Sequence, residues 1–300
     1  MNATALSPLG LILLLTFSAV PATTQDSALP ENFQRENLVA WCIVPFDAKQ
    51  RDSATRANMV KKLGLRRVAY DWRDVHLPEF ESEILAYKEN GIEFFAFWKG
   101  HETAYPLIAR HGIKPQIWHS LQTGKGLSNK DKITSAAESL IPLAIRTGEA
   151  GLSLGLYGHG GWGGLPDNLV AVCKTLREKG FNHVGIVYNF HHAHPRIESF
   201  ESDLRKMKPF LFCLNLNGMA DPAVDDVTKK EYRVKTIGSG AHEKEMIETV
   251  IASGYSGPLG IIGHVATRDV EEVLRENLEG LDRILAELVP LQGSSAVPVP

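Results

Sequence analysis

Eight short apolar segments recur along the 300-residue chain, and each is followed by residues with the spacing of an amphipathic helix. A parallel strand that is buried on both faces is typically a continuous run of aliphatic side chains, and parallel strands are usually joined by crossover helices. Eight consecutive units of this kind predict a single (β/α)8 TIM barrel. The predicted strands are 38–46, 66–71, 93–98, 114–119, 152–158, 184–190, 211–217 and 258–263.

The predicted helices are 53–63, 78–90, 102–111, 131–147, 167–179, 198–207, 242–253 and 269–288. Gly64 and Gly112 follow two of these runs, where a residue in the left-handed conformation often ends a helix. A doubly wound sheet is the alternative, but no Gly-x-Gly-x-x-Gly sequence follows the first strand to favour it. We therefore place the barrel at 37–289, after a flexible lead-in at 23–36 and before a disordered tail at 290–300.

The first 22 residues have the pattern of a signal peptide. The apolar run LGLILLLTFSAVPA has the length of a signal core, and Val20 and Ala22 stand at suitable −3 and −1 positions. Cleavage here predicts an exported protein, periplasmic or extracellular, with no stable membrane insertion afterwards. Retention as a membrane anchor is the alternative, because the segment before the apolar run contains no Lys or Arg.

Composition narrows the partners and the redox chemistry. The formal net charge is −3 and there is no long basic run, so nucleic-acid binding through a basic patch is excluded. Three cysteines do not form a disulfide framework. Cys42 and Cys213 lie in predicted strands and Cys173 lies in a predicted helix, so we expect all three to be buried packing residues.

Polar residues follow the predicted strands where each strand ends. The clearest case is VGIVYNFHHAH (184–194), which changes abruptly from apolar to histidine-rich. Because (β/α)8 barrels carry their chemistry at the carboxyl ends of the strands, we expect one shared site there. The loop 220–236, long and polar, is expected to be a lid or a binding loop at the same end. The other segments of this kind are 114–120 (KPQIWHS), 152–161 (LSLGLYGHGG), 211–219 (LFCLNLNGM) and 258–265 (PLGIIGHV).

The series LYGHGG, VGIVYNFHHAH, LNLNGM and IGSGAHEKEMIETVIASGYSGPLGII resembles the sugar phosphate isomerase/epimerase family, the xylose isomerase-like TIM barrels. The resemblance extends in element order over most of residues 38–288 and is clearest in the second half. It implies a carbohydrate-active enzyme that binds a small-molecule sugar. It also implies isomerase or epimerase chemistry, in which a proton moves next to a carbonyl group.

The resemblance also implies a metal site, which this sequence does not preserve. Family members hold a divalent metal with Glu, Asp, His and Glu at successive strand ends, and the matching positions here are Tyr157, Asn189, Asn215 and Gly263. None of these residues is a carboxylate, and hard divalent cations prefer anionic oxygen ligands. No cofactor is therefore expected. A zinc or manganese ion held by the remaining histidines is the alternative.

Three residues are candidate catalytic groups. His192 matches the His of the family's D-x-x-H motif and His159 matches the His that follows the first ligand, so either is a candidate base. Neighbouring side chains at a strand end cannot all face the barrel axis. We expect His192 to face the pocket, with His194 as the second choice and His191 as a structural residue. Lys99 is the third candidate, as a base or as a group that polarises the carbonyl.

Neutral polar and aromatic side chains at the strand ends are candidate sugar ligands. Carboxamides offer both a donor and an acceptor, although capping is their common structural role. A Trp stacks on a sugar ring or simply packs, and Arg73 binds hydroxyls or pairs with Asp71 or Asp74. The candidate substrate-binding residues are Tyr157, Asn189, Asn215, Asn217, His264, Arg73, Trp98, His119 and His194.

We expect His159, Asn189, His192, Asn217 and His264 to face one pocket, which suits a neutral polyhydroxylated ligand. Two other functions stay open at this stage. One is a lyase or hydrolase of oxidised 3-keto glycosides, which shares the enolate chemistry. The other is a non-catalytic sugar-binding barrel, which the missing carboxylates favour.

Cleavage of the signal segment gives the first testable prediction. The mature protein should begin near Thr23 and be recovered from the cell envelope or the medium, because the apolar run is short and ends in small residues. Amino-terminal sequencing of the expressed protein measures this. Cytoplasmic protein that retains Met1 would contradict it.

Overall fold

Eight parallel strands close into a barrel in the computed structural model, which describes residues 29–229, 233–265 and 267–288. Each strand pairs with the next along the chain, and the eighth pairs with the first in the register Leu38–Leu259 to Trp41–Ile262. The predicted (β/α)8 TIM barrel is confirmed. The strands are β1 (Leu38–Trp41), β2 (Arg67–Tyr70), β3 (Glu93–Trp98), β4 (Gln116–Ser120), β5 (Leu154–Tyr157), β6 (Val184–Asn189), β7 (Leu211–Leu216) and β8 (Leu259–Ile262).

The helices lie outside the barrel at the predicted places. Their boundaries follow local chemistry: the Asp52 side chain accepts a hydrogen bond from the Thr55 amide at the start of the first helix, and Gly112 ends the third with φ 65°. The helices are α1 (Ser53–Lys62), α2 (Phe80–Glu89), α3 (Ala104–His111), α4 (Asn129–Glu149), α5 (Pro166–Glu178), α6 (Phe200–Met207), α7 (Glu243–Ala252) and α8 (Val270–Leu288).

Alternation along the strands divides the buried residues into two layers. Leu38 and Ala40 of β1 belong to the large cluster between the barrel and its helices, whereas Val39 and Trp41 belong to a smaller cluster inside the barrel. Because both faces are buried, the strands are apolar throughout. The first strand is shorter than predicted, because Cys42 adopts φ 58° and leaves the extended conformation.

The described part of the predicted flexible lead-in is folded onto the barrel, which corrects that expectation. Residues 31–37 form two 3-10 turns in which Asn32 and Phe33 are buried. The Asn32 side chain donates hydrogen bonds to the carbonyls of Tyr255 and Gly257 at 3.1 and 3.0 Å. The predicted signal segment and the predicted tail, 290–300, lie outside the described residues.

The three cysteines are buried with free thiols, as predicted. Within the described ranges, no helix combines the length and the apolar character that a membrane crossing requires.

A two-stranded ribbon follows β7 and lies over the carboxyl end of the barrel. Gly218–Met219 pairs antiparallel with Val234–Lys235, and Val234 packs against the cluster inside the barrel. This ribbon is the loop that the sequence predicts as a lid or binding loop.

Glu243, at the start of α7, fixes the base of the ribbon. Its carboxylate accepts hydrogen bonds from the amides of Met219, Gly238 and Gly240 at 3.0, 2.9 and 2.7 Å, and the side chain is buried. A Cβ atom on Gly240 would lie 2.2 Å from the Glu243 carboxylate, so only glycine fits there. One carboxylate therefore holds both ends of the ribbon.

Glu243→Gln should loosen the ribbon, because an amide NH2 would replace an oxygen that faces backbone donors. Hydrogen bonds to a charged group contribute about 1.5–3 kcal/mol each, so we expect the free energy of unfolding to fall by about 2 kcal/mol. Proteolysis within the ribbon should also become faster. Urea denaturation and limited proteolysis measure these effects. Glu248→Gln, exposed on the same helix, is the matched control, and equal behaviour of the two variants would refute the role of Glu243.

Candidate active site

A small cavity of about 80 Å³ lies at the carboxyl end of the barrel, where the ends of six strands meet. Its walls combine aromatic rings, imidazoles, one carboxyl group and one guanidinium group. Many of these residues continue the inward-facing alternation of their strands, as Asp71 does after Ala69 and His159 does after Tyr157. The lining residues are Trp41, Cys42, Phe46, Asp71, Arg73, Trp98, Tyr157, His159, His191 and His264.

Aromatic rings form the floor of this cavity. The Trp41 indole N–H donates to the Tyr157 hydroxyl at 3.0 Å, and the Trp41 and Trp118 ring centroids lie 4.9 Å apart at a near-perpendicular angle. Trp98 contacts Tyr157 with a centroid distance of 4.5 Å. Edge-to-face packing of this kind holds the rings in fixed orientations. The floor is therefore a rigid apolar platform.

Asp71 is the only carboxyl group among the cavity-lining residues, and its surroundings are unusual. It is 2% exposed, and its Oδ1 accepts a hydrogen bond from the Val44 amide at 3.3 Å. Its Oδ2 is buried and has no partner among the described residues. Burial raises the pKa of Asp71 to about 6, although the positive charge of Arg73 acts in the opposite direction. This carboxyl group exchanges its proton near neutral pH.

Four histidines gather around the same cavity. The His191 and His192 ring centroids lie 3.8 Å apart, those of His159 and His192 lie 4.6 Å apart, and His264 lies 6.0 Å from His191. Burial first, and the neighbouring histidines next, hold the pKa of His191 well below its usual range and lower that of His192 to about 3. Both imidazoles are therefore neutral at physiological pH.

The predicted orientations of His191 and His192 are reversed in the structure. The inward alternation of β6 continues from Asn189 to His191, so His191 lines the cavity. His192 lies behind it, between His191 and His159. His194, the second choice for the pocket, lines a separate cavity.

The three asparagines do not line the axial cavity, which corrects a further expectation. The Asn189 amide donates to the Gly158 carbonyl at 2.8 Å, and the Asn215 amide donates to the Asn189 side-chain oxygen at 2.7 Å. Both are fully buried, so their hydrogen bonds tie neighbouring strands together. The Asn217 amide donates to the Gly218 carbonyl, and its side-chain oxygen is buried without a partner among the described residues.

The other predicted residues divide between the cavity wall and its surroundings. Arg73, Trp98, Tyr157, His159 and His264 line the cavity.

Lys99 and His119 do not line the cavity. Lys99 is exposed in a left-handed conformation with φ 50°, and its ammonium lies 5.9 Å from the Trp98 ring. His119 follows the inward Trp118 in β4, so alternation directs it to the other face of the sheet. Burial, and secondarily the charge of Lys99, lowers the pKa of His119.

Sequence reasoning missed Asp71, Trp41, Cys42 and Phe46 as members of the cavity wall. The signal for Asp71 was present, because it is the first residue after β2 and shares the inward alternation of Ala69. From the sequence, Asp71 is expected at a strand end as an ion-pair partner of Arg73, and it is not among the candidate site residues.

Phe46 and His264 are held together by a charged cluster on the loops that carry them. Their ring centroids lie 3.7 Å apart. Below them, Arg51 donates to both oxygens of Asp47 at 2.7 and 2.8 Å and to Asp269 at 2.6 Å. Paired guanidinium and carboxylate groups with low exposure fix geometry well. The loops after β1 and β8 therefore form one rigid side of the cavity.

The metal site implied by the family resemblance does not fit these residues. The matching positions hold Tyr157, Asn189, Asn215 and Gly263. The two asparagines are already engaged, because Asn215 donates to Asn189 and Asn189 donates to the Gly158 carbonyl. Across the part of the chain that the structure describes, no group of three or more His, Cys, Asp or Glu side chains could hold a metal ion. The donor set lacks the anionic oxygens that a hard cation prefers.

No protein-family model matches the chain, and no curated protein matches it by sequence. Solved structures match it over most of its length. A 3-keto-D-glucoside 4-epimerase from E. coli has a TM-score of 0.61 at 16% identity, covering 82% of this chain and 99% of that one. D-psicose 3-epimerase with D-tagatose, from Clostridium cellulolyticum, has a TM-score of 0.57 at 14% identity, covering 83% and 98%.

The IOLI protein with a bound zinc atom has a TM-score of 0.64 at 11% identity, covering 85% of this chain and 99% of that one. At these identities the likeness shows the fold alone. The chain thus shares the (β/α)8 fold of these proteins, two of which are sugar epimerases.

Asp71→Asn should stabilise the protein at neutral pH and not at acid pH. Because the folded-state pKa is raised from 3.8 to about 6, the wild type loses stability as the pH rises through this window, in which the buried group must ionise. A rise of this size corresponds to about 3 kcal/mol. The variant has no group to ionise at this position, so it should be more stable than the wild type above pH 6. Near pH 4 the two proteins should have the same free energy of unfolding.

Urea denaturation between pH 4 and pH 8 measures this difference. Asp74→Asn, exposed on the same loop, is the control, with an expected change within about 0.5 kcal/mol. An Asp71→Asn variant that is less stable than the wild type at pH 8 would show that the carboxylate is favourably paired.

Proposed function

We propose that this protein is a sugar isomerase or epimerase that moves a proton on the carbon next to a carbonyl group, and that it needs no divalent metal ion. The observation that carries the proposal is the meeting, in one cavity, of a buried carboxyl group with pKa near 6, neutral imidazoles and a guanidinium group. Such chemistry requires a base near the acidic carbon and donors near the carbonyl oxygen.

Asp71 is the base in this proposal. A general base works best when its pKa lies near the operating pH, because it must be deprotonated at the start and must still accept a proton. Its Oδ2 is the buried oxygen without a described partner, so this atom is available to take the proton. In an isomerase the same group returns the proton to the neighbouring carbon. Inversion in an epimerase also requires a proton donor on the opposite face of the enolate, and His159 is the candidate among the other cavity-lining groups. As the base, Asp71 replaces the histidines that sequence reasoning favoured.

Neutral His191 and the Arg73 guanidinium stabilise the enolate oxygen. The His191 Nδ1 is buried without a described partner. A neutral imidazole donates a hydrogen bond from this nitrogen when its proton is located there. Arg73 is exposed at the mouth and lines the cavity, where a fixed positive charge favours developing negative charge.

A sugar or sugar derivative fits the remaining chemistry. Trp41 and Trp98 offer apolar faces for a ring, and the buried atoms of Asp71 and His191 that have no described partner can bind hydroxyl groups. At about 80 Å³ the cavity is well below the ~300 Å³ of a typical ligand pocket. The substrate therefore needs more room than this cavity alone provides. Export, as the N-terminal segment predicts, is part of this proposal and favours an unphosphorylated sugar.

Two structural neighbours suggest substrates for a test. One is titled a 3-keto-D-glucoside 4-epimerase and another D-psicose 3-epimerase, so 3-keto glucosides and ketohexoses form the first panel. The protein is dialysed against a strong chelator and incubated with each sugar in D2O. Deuterium at the carbon next to the carbonyl is followed by NMR.

We expect incorporation without added metal, with a rate that rises with pH through about 6 as Asp71 loses its proton. His192, with a pKa near 3, adds no rise above pH 5. Asp71→Asn should lower the rate by about 10²–10⁴-fold, the usual contribution of a general base, while Asp74→Asn should leave it unchanged.

Three other outcomes would contradict the proposal, and each indicates a different function. Activity restored only by manganese, magnesium or zinc would mean a metal enzyme. Two sugar fragments as products would mean a lyase or hydrolase. Binding across the panel without deuterium incorporation would mean a non-catalytic sugar-binding barrel.

A further inference from the structure

A second and larger cavity, of about 570 Å³, lies between the segment after β6 and the loop after β7. One wall is the 3-10 turn His194–Ser199, and the opposite wall is the turn Asp221–Ala223, which belongs to the loop of the ribbon. His242, just before α7, completes it. This volume falls within the ~300–1,000 Å³ range of small-molecule sites.

His194 lines this cavity and carries a buried acceptor that has no described partner. It is 5% exposed, and its Nδ1 lies 3.2 Å from the His191 carbonyl oxygen. A carbonyl oxygen only accepts, so Nδ1 carries the proton. Burial lowers the pKa of His194 to about 4, so the ring is neutral and its Nε2 holds a lone pair. This Nε2 is buried and has no partner among the described residues.

Three other ionisable groups of the wall are already engaged, and the fourth, Glu198, is an exposed carboxylate. Arg196 donates two hydrogen bonds of 2.8 Å to Asp203, so its positive charge is compensated. Asp221 pairs with His242 at 3.5 Å and accepts from the Ala223 amide at 2.9 Å. A buried acceptor beside compensated charges selects a ligand with hydroxyl donors over an anion.

We propose that this second cavity binds a further sugar unit of the substrate, so that the substrate is a disaccharide or a larger glycoside. The inference rests on the proposed function, which places the reacting sugar in the axial cavity. His191 lines the axial cavity and His194 lines the second one, only three residues further along the same segment. In this proposal one linked substrate spans both cavities across this short segment.

Equilibrium binding of matched sugars to the full-length protein tests this inference. The probes are glucose and cellobiose, galactose and lactose, mannose and mannobiose, and xylose and xylobiose, measured by titration calorimetry. At least one disaccharide should bind about tenfold more tightly than its monosaccharide, as one or two added hydrogen bonds would give.

Two variants locate the added affinity. His194→Asn keeps a donor for the His191 carbonyl but removes the Nε2 acceptor, and Ala223→Trp fills the cavity from its exposed wall. Each should remove most of the disaccharide preference and leave monosaccharide affinity unchanged. Val224→Trp is the control, because Val224 is 81% exposed and outside the cavity lining.

The inference is overturned if no probe binds, if no disaccharide is preferred, or if the preference survives Ala223→Trp. The proposed function can fail separately. A disaccharide preference without deuterium exchange would end the proposed chemistry and keep the second cavity as a sugar site. Deuterium exchange on monosaccharides without any disaccharide preference would support the proposed chemistry and end the inference of a second sugar site.

Discussion

The buried Asp71 carboxyl group is the feature on which the chemistry of this barrel depends. A carboxyl group on the surface would ionise near its ordinary pKa of 3.8 and be a poor base at neutral pH. Here the side chain is buried, while the charges of Arg73 and Arg56 and the amides of Val44 and Asp71 favour its ionised form. Burial prevails over all of these, so the raised pKa is a cost to folding that the rest of the barrel offsets.

Several parts of the structure enclose this cavity. The aromatic floor closes it from below, and the ribbon that Glu243 anchors lies over the carboxyl end of the barrel. The Arg51 cluster fixes the loops that carry Phe46 and His264. The same desolvation keeps His191 and His192 neutral, so one physical cause supplies both a strong base and uncharged donors.

The barrel could be predicted from the sequence because its evidence is repeated along the chain. Eight apolar segments with helical connections, and left-handed glycines such as Gly112 at helix ends, all indicate the same architecture. The general position of the site followed from the polar strand ends. These features depend on local patterns, which a sequence records directly.

The membership of the site was harder to predict because it depends on contacts between strands. Asn189 and Asn215 carry suitable groups for a sugar, but these groups already form hydrogen bonds within the barrel. The Asn215 amide donates to the Asn189 side-chain oxygen, and the Asn189 amide donates to the Gly158 carbonyl. The orientations of His191 and His192 depend on how far the alternation of β6 continues past its last residue. The raised pKa of Asp71 arises from packing by residues distant in sequence, which no short motif encodes.

The most direct measurement of this account is the titration of the Asp71 carboxyl group itself. Carbon-13 NMR of protein labelled at the aspartate carboxyl carbons, with the Asp71→Asn variant used to assign the signal, gives its pKa in the folded protein. The account predicts a titration near pH 6. A carboxyl group that titrates at or below its ordinary pKa of 3.8 would contradict it, because Asp71 would then be a solvated or paired anion and not the base of a buried active site.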